Sequence, residues 1–408
     1  MARLPFEGIR VADFGWVITA PLATLWLATL GAEVIKIENK AHPDTMRRIR
    51  GAGGVALMDP LKLNQSPSFN SLNYSKYSCC LELSHPKAQE LAREIVKISD
   101  VVVEAYTYPV VERFGLTYED IKVVKPDIVM LSVSSLGKTG PLRDTTGYGP
   151  SNQAYAGLPS MTGYEGSIGG NIGGTWPDYW MGVAAAYLLM SGLYHKRRTG
   201  RGIYMDLSMV EAVLNMVPGQ ILDYQMNGRA AQPWGNWDPL SAPHGVYRCL
   251  GDDRWVAIAV EDETQWAAFC QASGHLEWQH DERFADAYLR QQRRSELDAL
   301  VTEWTREHTA QDITALLQGV GVSAGPSNDS LGLVNDPQLR HRQQFVGLDH
   351  AEMGSREYMA MQGIFSAIPE RRYAPTPVYD RDNHGVFRDL LGLPEAEIDD
   401  LIKEGVIA

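Results

Sequence analysis

One aspartate precedes the most apolar helical stretch of the chain. The segment Gly173–Gly182 reads Gly-Gly-Thr-Trp-Pro-Asp-Tyr-Trp-Met-Gly, and a helix is predicted over Met181–His195. Asp178 is a candidate N-cap, because aspartate is favoured where a helix leaves N–H groups unpaired. The alternative is a ligand site, because the glycine-dense stretch Gly166–Gly174 lets the backbone approach a ligand closely. The neighbouring aromatic residues would also need a ligand or a partner to bury their surface. Both interpretations stay open on these residues alone.

The charge of the chain limits the partners that it can hold. Its 408 residues contain 37 lysines and arginines against 50 aspartates and glutamates, a formal net charge of −13. So acidic a chain is unsuited to non-specific binding of nucleic acid or of an anionic membrane surface. Residues 1–140 carry 16 cations and 15 acids, whereas residues 141–408 carry 21 and 35. An anionic cofactor is therefore expected to bind within the first third of the chain.

The cysteines indicate neither a metal site nor an oxidising compartment. Cys79, Cys80, Cys249 and Cys270 lack the spacing of zinc ligands, so no metal is expected. Free thiols are typical of a reducing cytosol. There is no signal-peptide pattern at the N-terminus and no run of about 18 apolar residues. We therefore expect a cytoplasmic protein without a membrane span.

Strand and helix patterns alternate along the first half of the chain. This order predicts a parallel sheet with helices on its faces, a Rossmann-like arrangement. The segment Gly15–Pro21 after the first strand lacks the GxGxxG fingerprint, which argues against a dinucleotide. The predicted strands are Ile9–Phe14, Glu33–Glu38, Ser78–Leu83, Val101–Glu104, Ile128–Val133 and Ile203–Ser208, and the helices are Ala20–Leu30, Pro86–Ile98, Thr117–Val124, Met181–His195 and Val210–Leu222.

Several short motifs, taken together, make the chain recognisable. It resembles the class III (CaiB/BaiF-like) CoA-transferases, a family that includes formyl-CoA transferase and carnitine CoA-transferase, with α-methylacyl-CoA racemase as a relative. The resemblance covers nearly the whole chain. The segments that carry it are Gly8–Asp13, Leu30–Glu38, Asn73–Lys76, Asp100–Glu104, Arg113–Gly115, Arg198–Gly202, Asp206–Ser208 and Ala242–Tyr247.

The resemblance implies that Asp178 is a catalytic nucleophile. The family's catalytic aspartate stands in the loop before the apolar helix, where this chain has Asp178. In the implied mechanism its carboxylate attacks a donor acyl-CoA, giving a mixed anhydride and then an aspartyl-CoA thioester, before CoA passes to an acceptor acid. The stretch Gly166–Gly174 would supply N–H donors for the oxyanions or act as a flap, and a plain flexible loop explains it equally well.

The resemblance also assigns residues to coenzyme A, whose three phosphates need cations. Lys76 and Arg113 match basic residues at the nucleotide, and Tyr106 matches an aromatic residue near the adenine or its linker. Val17 and Thr19 lie on the loop that packs against the pantetheine and the thiol. Asn39 replaces an arginine of formyl-CoA transferase, and Lys40 is the candidate substitute cation. Lys138 is the eighth residue assigned to CoA.

The family's architecture is the expectation for this chain. It is an α/β fold with a Rossmann-like large domain built from both chain ends and a smaller inserted α+β domain. Residues 1–222 are expected to start the large domain, 223–243 to form a linker and 244–330 the small domain. Residues 331–408 are expected to return to the large domain. Two chains would interlock as a homodimer, or as a heterodimer with a related subunit.

The function expected is transfer of CoA from a donor thioester to a carboxylic acid. Succinyl-CoA is a common donor in the family, and aromatic residues near Asp178 and at Trp234–Trp237 suggest a bulky or aromatic acyl group. The alternatives are an acyl-CoA racemase or isomerase on the same fold, or one subunit of a heteromeric transferase. Tyr148 stands where the racemase needs a histidine, which argues against racemisation. His244 is a candidate general base, but a family-typical turn explains it equally well.

Overall fold

A computed structural model describes residues 4–49, 60–167, 169–173, 175–368 and 370–407. The chain divides into two compact units. The first contains Met1–Leu158, Asn171–Arg229 and Gln343–Ala408, and the second contains Pro159–Gly170 and Ala230–Arg342. The expected domain limits differ from this division at residues 331–342 and at residues 159–170, which both belong to the second unit. The difference at 159–170 has a visible cause. That segment joins the second unit because the Gly235 N–H donates to the Gly163 carbonyl (2.8 Å).

The first unit contains six parallel strands in the order β3-β2-β1-β4-β5-β6. This is the order of a doubly wound sheet, with its switch point between β1 and β4. The α/β fold with a large parallel sheet is thus confirmed. Burial on both faces explains the apolar runs of the central strands, such as the three consecutive valines Val101–Val103. The strands are β1 Arg10–Phe14, β2 Glu33–Glu38, β3 Tyr77–Cys80, β4 Val101–Glu104, β5 Val129–Ser134 and β6 Ile203–Ser208.

Helices cover this sheet, and two of them depart from the sequence-based prediction. The helix predicted over Val210–Leu222 is wrong, because Pro218 cannot continue a helix and the chain forms two shorter ones. The apolar helix begins earlier than Met181, at Trp176. The helices are α1 Thr19–Thr29, α2 Thr45–Arg48, α3 Pro67–Asn73, α4 Pro86–Lys97, α5 Tyr108–Arg113, α6 Tyr118–Val124, α7 Gly149–Tyr155, α8 Trp176–Thr199, α9 Met209–Leu214 and α10 Pro218–Asn227.

The second unit is built on a three-stranded antiparallel sheet in the order β7-β8-β9. Its core is rich in aromatic side chains, with Phe269 stacked on Trp266 and Trp278. Its elements are β7 His244–Arg248, β8 Trp255–Ala259, α11 Glu263–Ser273, α12 Leu276–His280, α13 Ala287–Gln292, α14 Arg294–Thr305, α15 Ala310–Gly319, β9 Ser323–Pro326, α16 Ser330–Asn335 and α17 Pro337–His341.

The end of the chain completes the first unit. It forms the antiparallel pair β10 Phe345–His350 and β11 Gly354–Met359, a π-helical turn at Gly385–Leu390 and α18 Glu395–Lys403. Ile407 bridges to Leu81 just after β3, and both side chains are fully buried. The core around the sheet therefore includes residues from the last ten positions of the described chain.

Candidate active site

A cavity of about 390 Å³ opens within the first unit at the carboxyl ends of its strands. It is lined by the loop Trp16–Thr19 after β1, by Ala105–Thr107 after β4 and by Val133–Ser135 at the end of β5. Ligands of doubly wound sheets bind outside the carboxyl ends of strands at the switch point. The β1 and β4 loops meet at that point here, so the cavity lies where the topology favours a ligand.

Asp178 lies in this cavity's wall, in the first turn of α8. Thr175 occupies the N-cap position, so Asp178 is neither the N-cap nor a loop residue before the helix, and both expectations are wrong. Its side chain is only 3% exposed, and Oδ1 finds no hydrogen-bond donor among the described residues. Burial raises the pKa of Asp178 from 3.8 to about 7. A carboxyl group that is paired with no cation among the described residues thus lies beside an open cavity.

Two glycines allow other backbones to approach the start of α8. An added Cβ at Gly149, the first residue of α7, would lie 2.9 Å from Asp178 Oδ2. An added Cβ at Gly182 would lie 2.7 Å from Leu22 on α1. The Thr19 hydroxyl completes the contact by donating to the Asp178 carbonyl (3.1 Å). Small residues and one hydroxyl therefore hold α1, α7 and α8 together around the carboxylate.

The starts of two long helices converge on the cavity. Ile18 and Thr19 at the start of α1 line it, as does Asp178 at the start of α8. The first N–H groups of a helix lack intrahelical acceptors and carry partial positive charge. At the start of α8, Trp176 and Asp178 already donate to the Gly173 and Thr175 carbonyls, and Pro177 has no N–H. The first N–H groups of α1 are therefore the ones that would stabilise an oxyanion or a thiolate. For Asp178 itself, burial is the cause that raises the pKa.

Four of the eight residues assigned to CoA line the same cavity as Asp178. Val17 and Thr19 lie on its β1 side and Asn39 lies after β2. Tyr106 follows β4 and accepts a hydrogen bond from the Trp16 indole (3.3 Å). The structure thus brings Asp178 together with the residues assigned to the pantetheine and the adenine.

The four assigned cations do not line the cavity. The Lys76 ammonium is buried and donates to Asp13 Oδ2 (3.1 Å), the Pro21 carbonyl (2.8 Å) and Asn73 Oδ1 (2.9 Å). Lys138 is buried against Glu104 and the Tyr106 carbonyl. The exposed cations are Lys40, which is 3.4 Å from Asp380, and Arg113, whose guanidinium lies over the ring of Phe114, a lining residue. The role of each in binding phosphate stays a prediction.

The aromatic residues beside Asp178 point away from the cavity. Trp176, Tyr179 and Trp180 are 43–45% exposed and line a separate groove with Trp26 of α1. These three side chains are not among the described residues that line the cavity of Asp178, and the bulky or aromatic acyl group stays a prediction. Tyr148 does line the cavity, where a racemase would need a histidine.

Comparison with known proteins decides the family. The sequence model for CoA-transferase family III matches residues 6–383. The chain belongs to CoA-transferase family III. The catalytic activity is therefore that of a CoA-transferase, as the motifs predict.

Two named relatives and one solved structure resemble this CoA-transferase over nearly its full length. The succinyl-CoA–D-citramalate CoA-transferase of Chloroflexus aurantiacus is 30% identical, over 97% of this chain and 96% of its own. The beta subunit of succinyl-CoA–L-malate CoA-transferase from the same organism is 26% identical, over 99% and 98%. A CAIB/BAIF family protein from Brucella suis has a TM-score of 0.85 at 25% identity, covering 95% of this chain and all of that one.

Some features of the CoA-transferase site were missed in the sequence. Gly149 lies beside the nucleophile candidate, and its signal was the loop-like run of Gly, Thr, Tyr and Pro over residues 140–182. Glu38 also lines the cavity, but its carboxylate is bound by Arg47 (2.7 and 2.8 Å) and its pKa is lowered. Across the described ranges, there is no cluster of three metal-ligating side chains and no helix long and apolar enough to cross a membrane. The cytoplasmic location stays a prediction.

Proposed function

We propose that Asp178 is the nucleophile that carries CoA between a donor thioester and an acceptor acid. The observation that carries this proposal is a buried carboxylate in the wall of the cavity. Its Oδ1 has no hydrogen-bond partner among the described residues. Glu38 is the other carboxylate among the described lining residues, and Arg47 already holds it. Asp178 is thus the carboxylate available for chemistry.

The reaction divides into balanced steps. The ionised Asp178 oxygen attacks the thioester carbonyl carbon, the C–S bond breaks and CoA leaves as a thiolate, which produces a mixed anhydride. The thiolate then attacks the Asp178 carbonyl carbon, the anhydride C–O bond breaks and the donor acid leaves as a carboxylate. The acceptor carboxylate reverses both steps and regenerates Asp178. The N–H groups of Thr19 and Ala20, which begin α1, support the oxyanions that form in each step.

Succinyl-CoA as donor and a short hydroxy-dicarboxylic acid as acceptor are the proposed substrates. The support is the named activity of the two relatives, succinyl-CoA–D-citramalate CoA-transferase and the beta subunit of succinyl-CoA–L-malate CoA-transferase. The cavity volume of about 390 Å³ is near the lower end of typical ligand sites. We propose that the CoA phosphates lie beyond the rim at Asn39, toward Lys40.

A homodimer is the proposed assembly. The outward face of α8 exposes apolar side chains at intervals of three or four residues, a stripe that a monomer would leave in water. This stripe fits a second copy of the chain, since the same face would meet itself across a two-fold axis. A sister chain is the alternative, because one relative is named as a beta subunit. The stripe consists of Trp176, Trp180, Val183, Tyr187, Met190 and Tyr194.

The decisive experiment combines turnover with detection of the covalent intermediate. Purified protein is given succinyl-CoA with a panel of acids that includes malate, citramalate and aromatic acids. Mass spectrometry should find CoA attached to the peptide that contains Asp178, and Asp178→Ala should abolish both the adduct and the transfer. Asp144→Ala removes an exposed carboxylate from the nearby loop and should change neither. An active Asp178→Ala enzyme refutes the proposal, and light scattering of the same sample reports the dimer.

A further inference from the structure

The loop between β1 and α1 holds a strained turn at the cavity. Val17 lines the cavity and has a φ of 65°, in the left-handed region. A β-branched residue adopts this region only when its surroundings impose it. Strain of this kind concentrates at functional sites. The surroundings that impose it here can be identified.

Two buried side chains hold the two ends of this turn from beneath. Both carboxylate oxygens of Asp44 lie 3.3 Å from the Val17 nitrogen and accept its N–H. The Lys36 ammonium donates to the Gly15 carbonyl and lies 3.8 Å from Asp44 Oδ2. Asp44 is 5% exposed and Lys36 1%. The turn is therefore fixed through its backbone, by hydrogen bonds to two side chains that solvent hardly reaches.

We propose that Lys36 and Asp44 are positioning residues for catalysis by this CoA-transferase. Neither is among the described residues that line the cavity, so they act through the turn. The turn sets where α1 begins, and Thr19 in the first turn of α1 bonds to the Asp178 carbonyl (3.1 Å). The clamp thus aligns the first N–H groups of α1 with the reacting carboxylate. This inference rests on the proposed role of Asp178 as nucleophile.

Removal of the clamp should affect the chemical step more than binding. Misplacement of catalytic groups by about 1 Å costs on the order of 100-fold in rate. Asp44→Ala should therefore lower kcat with succinyl-CoA and malate or citramalate roughly 100-fold, and change KM less than about threefold. Asp44→Asn keeps an oxygen that accepts the Val17 N–H, so it should retain most of the rate.

Asp44 also caps α2 by accepting the Met46 N–H (2.9 Å), so the experiment needs a matched control. Asp286 is likewise an N-cap aspartate, accepting the Leu289 N–H (2.8 Å). Asp286→Ala removes a cap of the same kind without touching the turn. It should leave kcat unchanged.

Hydrogen exchange at the Val17 amide tests the clamp without relying on activity. In the wild-type protein this amide should be protected, and Asp44→Ala should accelerate its exchange on the order of 100-fold. An unprotected Val17 amide in the wild type refutes the clamp, even if Asp44→Ala does not fold. Equal damage by Asp44→Asn and Asp44→Ala would also refute it, because the charge would then matter instead of the bond to the turn. A wild type that transfers no CoA would count against the proposed function and leave the exchange result standing.

Discussion

Replacement of Asp178 by asparagine should stabilise the protein above neutral pH. The pKa of Asp178 is raised from 3.8 to about 7 because burial disfavours the charged form. The unfolded chain releases this proton near pH 4, whereas the folded chain retains it to about pH 7. Between these two values the unfolded state binds fewer protons, so the free energy of unfolding falls as pH rises. Asparagine does not titrate and escapes this loss.

The magnitude follows from the size of the pKa difference. Each pKa unit corresponds to about 1.4 kcal/mol, so a shift of roughly three units gives about 4 kcal/mol. Asp178→Asn should gain little over the wild type near pH 4. The gain should grow through pH 5 and 6, and reach its full value of about 4 kcal/mol above about pH 7.

Urea unfolding of the two proteins at pH 5, 6, 7 and 8 measures the gain. Asp144→Asn removes an exposed carboxylate and should follow the wild type at every pH. A difference between Asp178→Asn and the wild type that stays constant from pH 5 to 8 would refute the reasoning. It would mean that solvent or the helix N–H groups already stabilise the ionised form.

Three further predictions concern the same unit. The acid limb of kcat/KM should have a midpoint near pH 7 and fall about tenfold per pH unit below it, because only ionised Asp178 attacks the thioester; a profile flat down to pH 5 would contradict this. Gly149→Ala should lower kcat on the order of 100-fold, because the added Cβ would lie 2.9 Å from Asp178 Oδ2. The control is Gly219→Ala, whose added Cβ would meet open space, and it should leave kcat unchanged in the same assay. Lys76→Met should lower the free energy of unfolding by about 3–5 kcal/mol, because buried Asp13 loses the ammonium that pairs with it. Chemical denaturation measures this loss, and a value below about 1 kcal/mol would contradict the prediction.

The sheet was predictable because its signal is local. Each strand and each helix of the βα units can be recognised from a short stretch of sequence. The alternation of strands and helices along the chain then predicts parallel pairing of the strands. The break at Pro218 was equally local and was overlooked. The catalytic role expected of Asp178 came from the resemblance to the family, because the residues around it were equally consistent with a helix N-cap.

The environment of the site could not be predicted, because it depends on contacts between distant segments. Lys76 bonds to Asp13, 63 positions earlier, and its ammonium, which the resemblance assigns to phosphate, is buried. Thr19 reaches Asp178 across 159 positions, and Asp44 reaches Val17 across 27. No spacing rule predicts these contacts from the sequence separations, because the residues meet only when the folded sheet brings the loops together at one edge.

The pairing of Ile407 with Leu81 has a consequence for synthesis on the ribosome. The second unit is nearly contiguous from residue 230 to 342, so most of it can fold as soon as it has been translated. The core of the first unit includes Ile398, Val406 and Ile407, and cannot close until these residues emerge. More than two hundred residues of the first unit therefore wait, incompletely packed, until residues 398–407 have been translated. Nonsense mutations shortly before residue 398 should thus send the chain to chaperones and proteases, although the described residues that line the cavity have already been made.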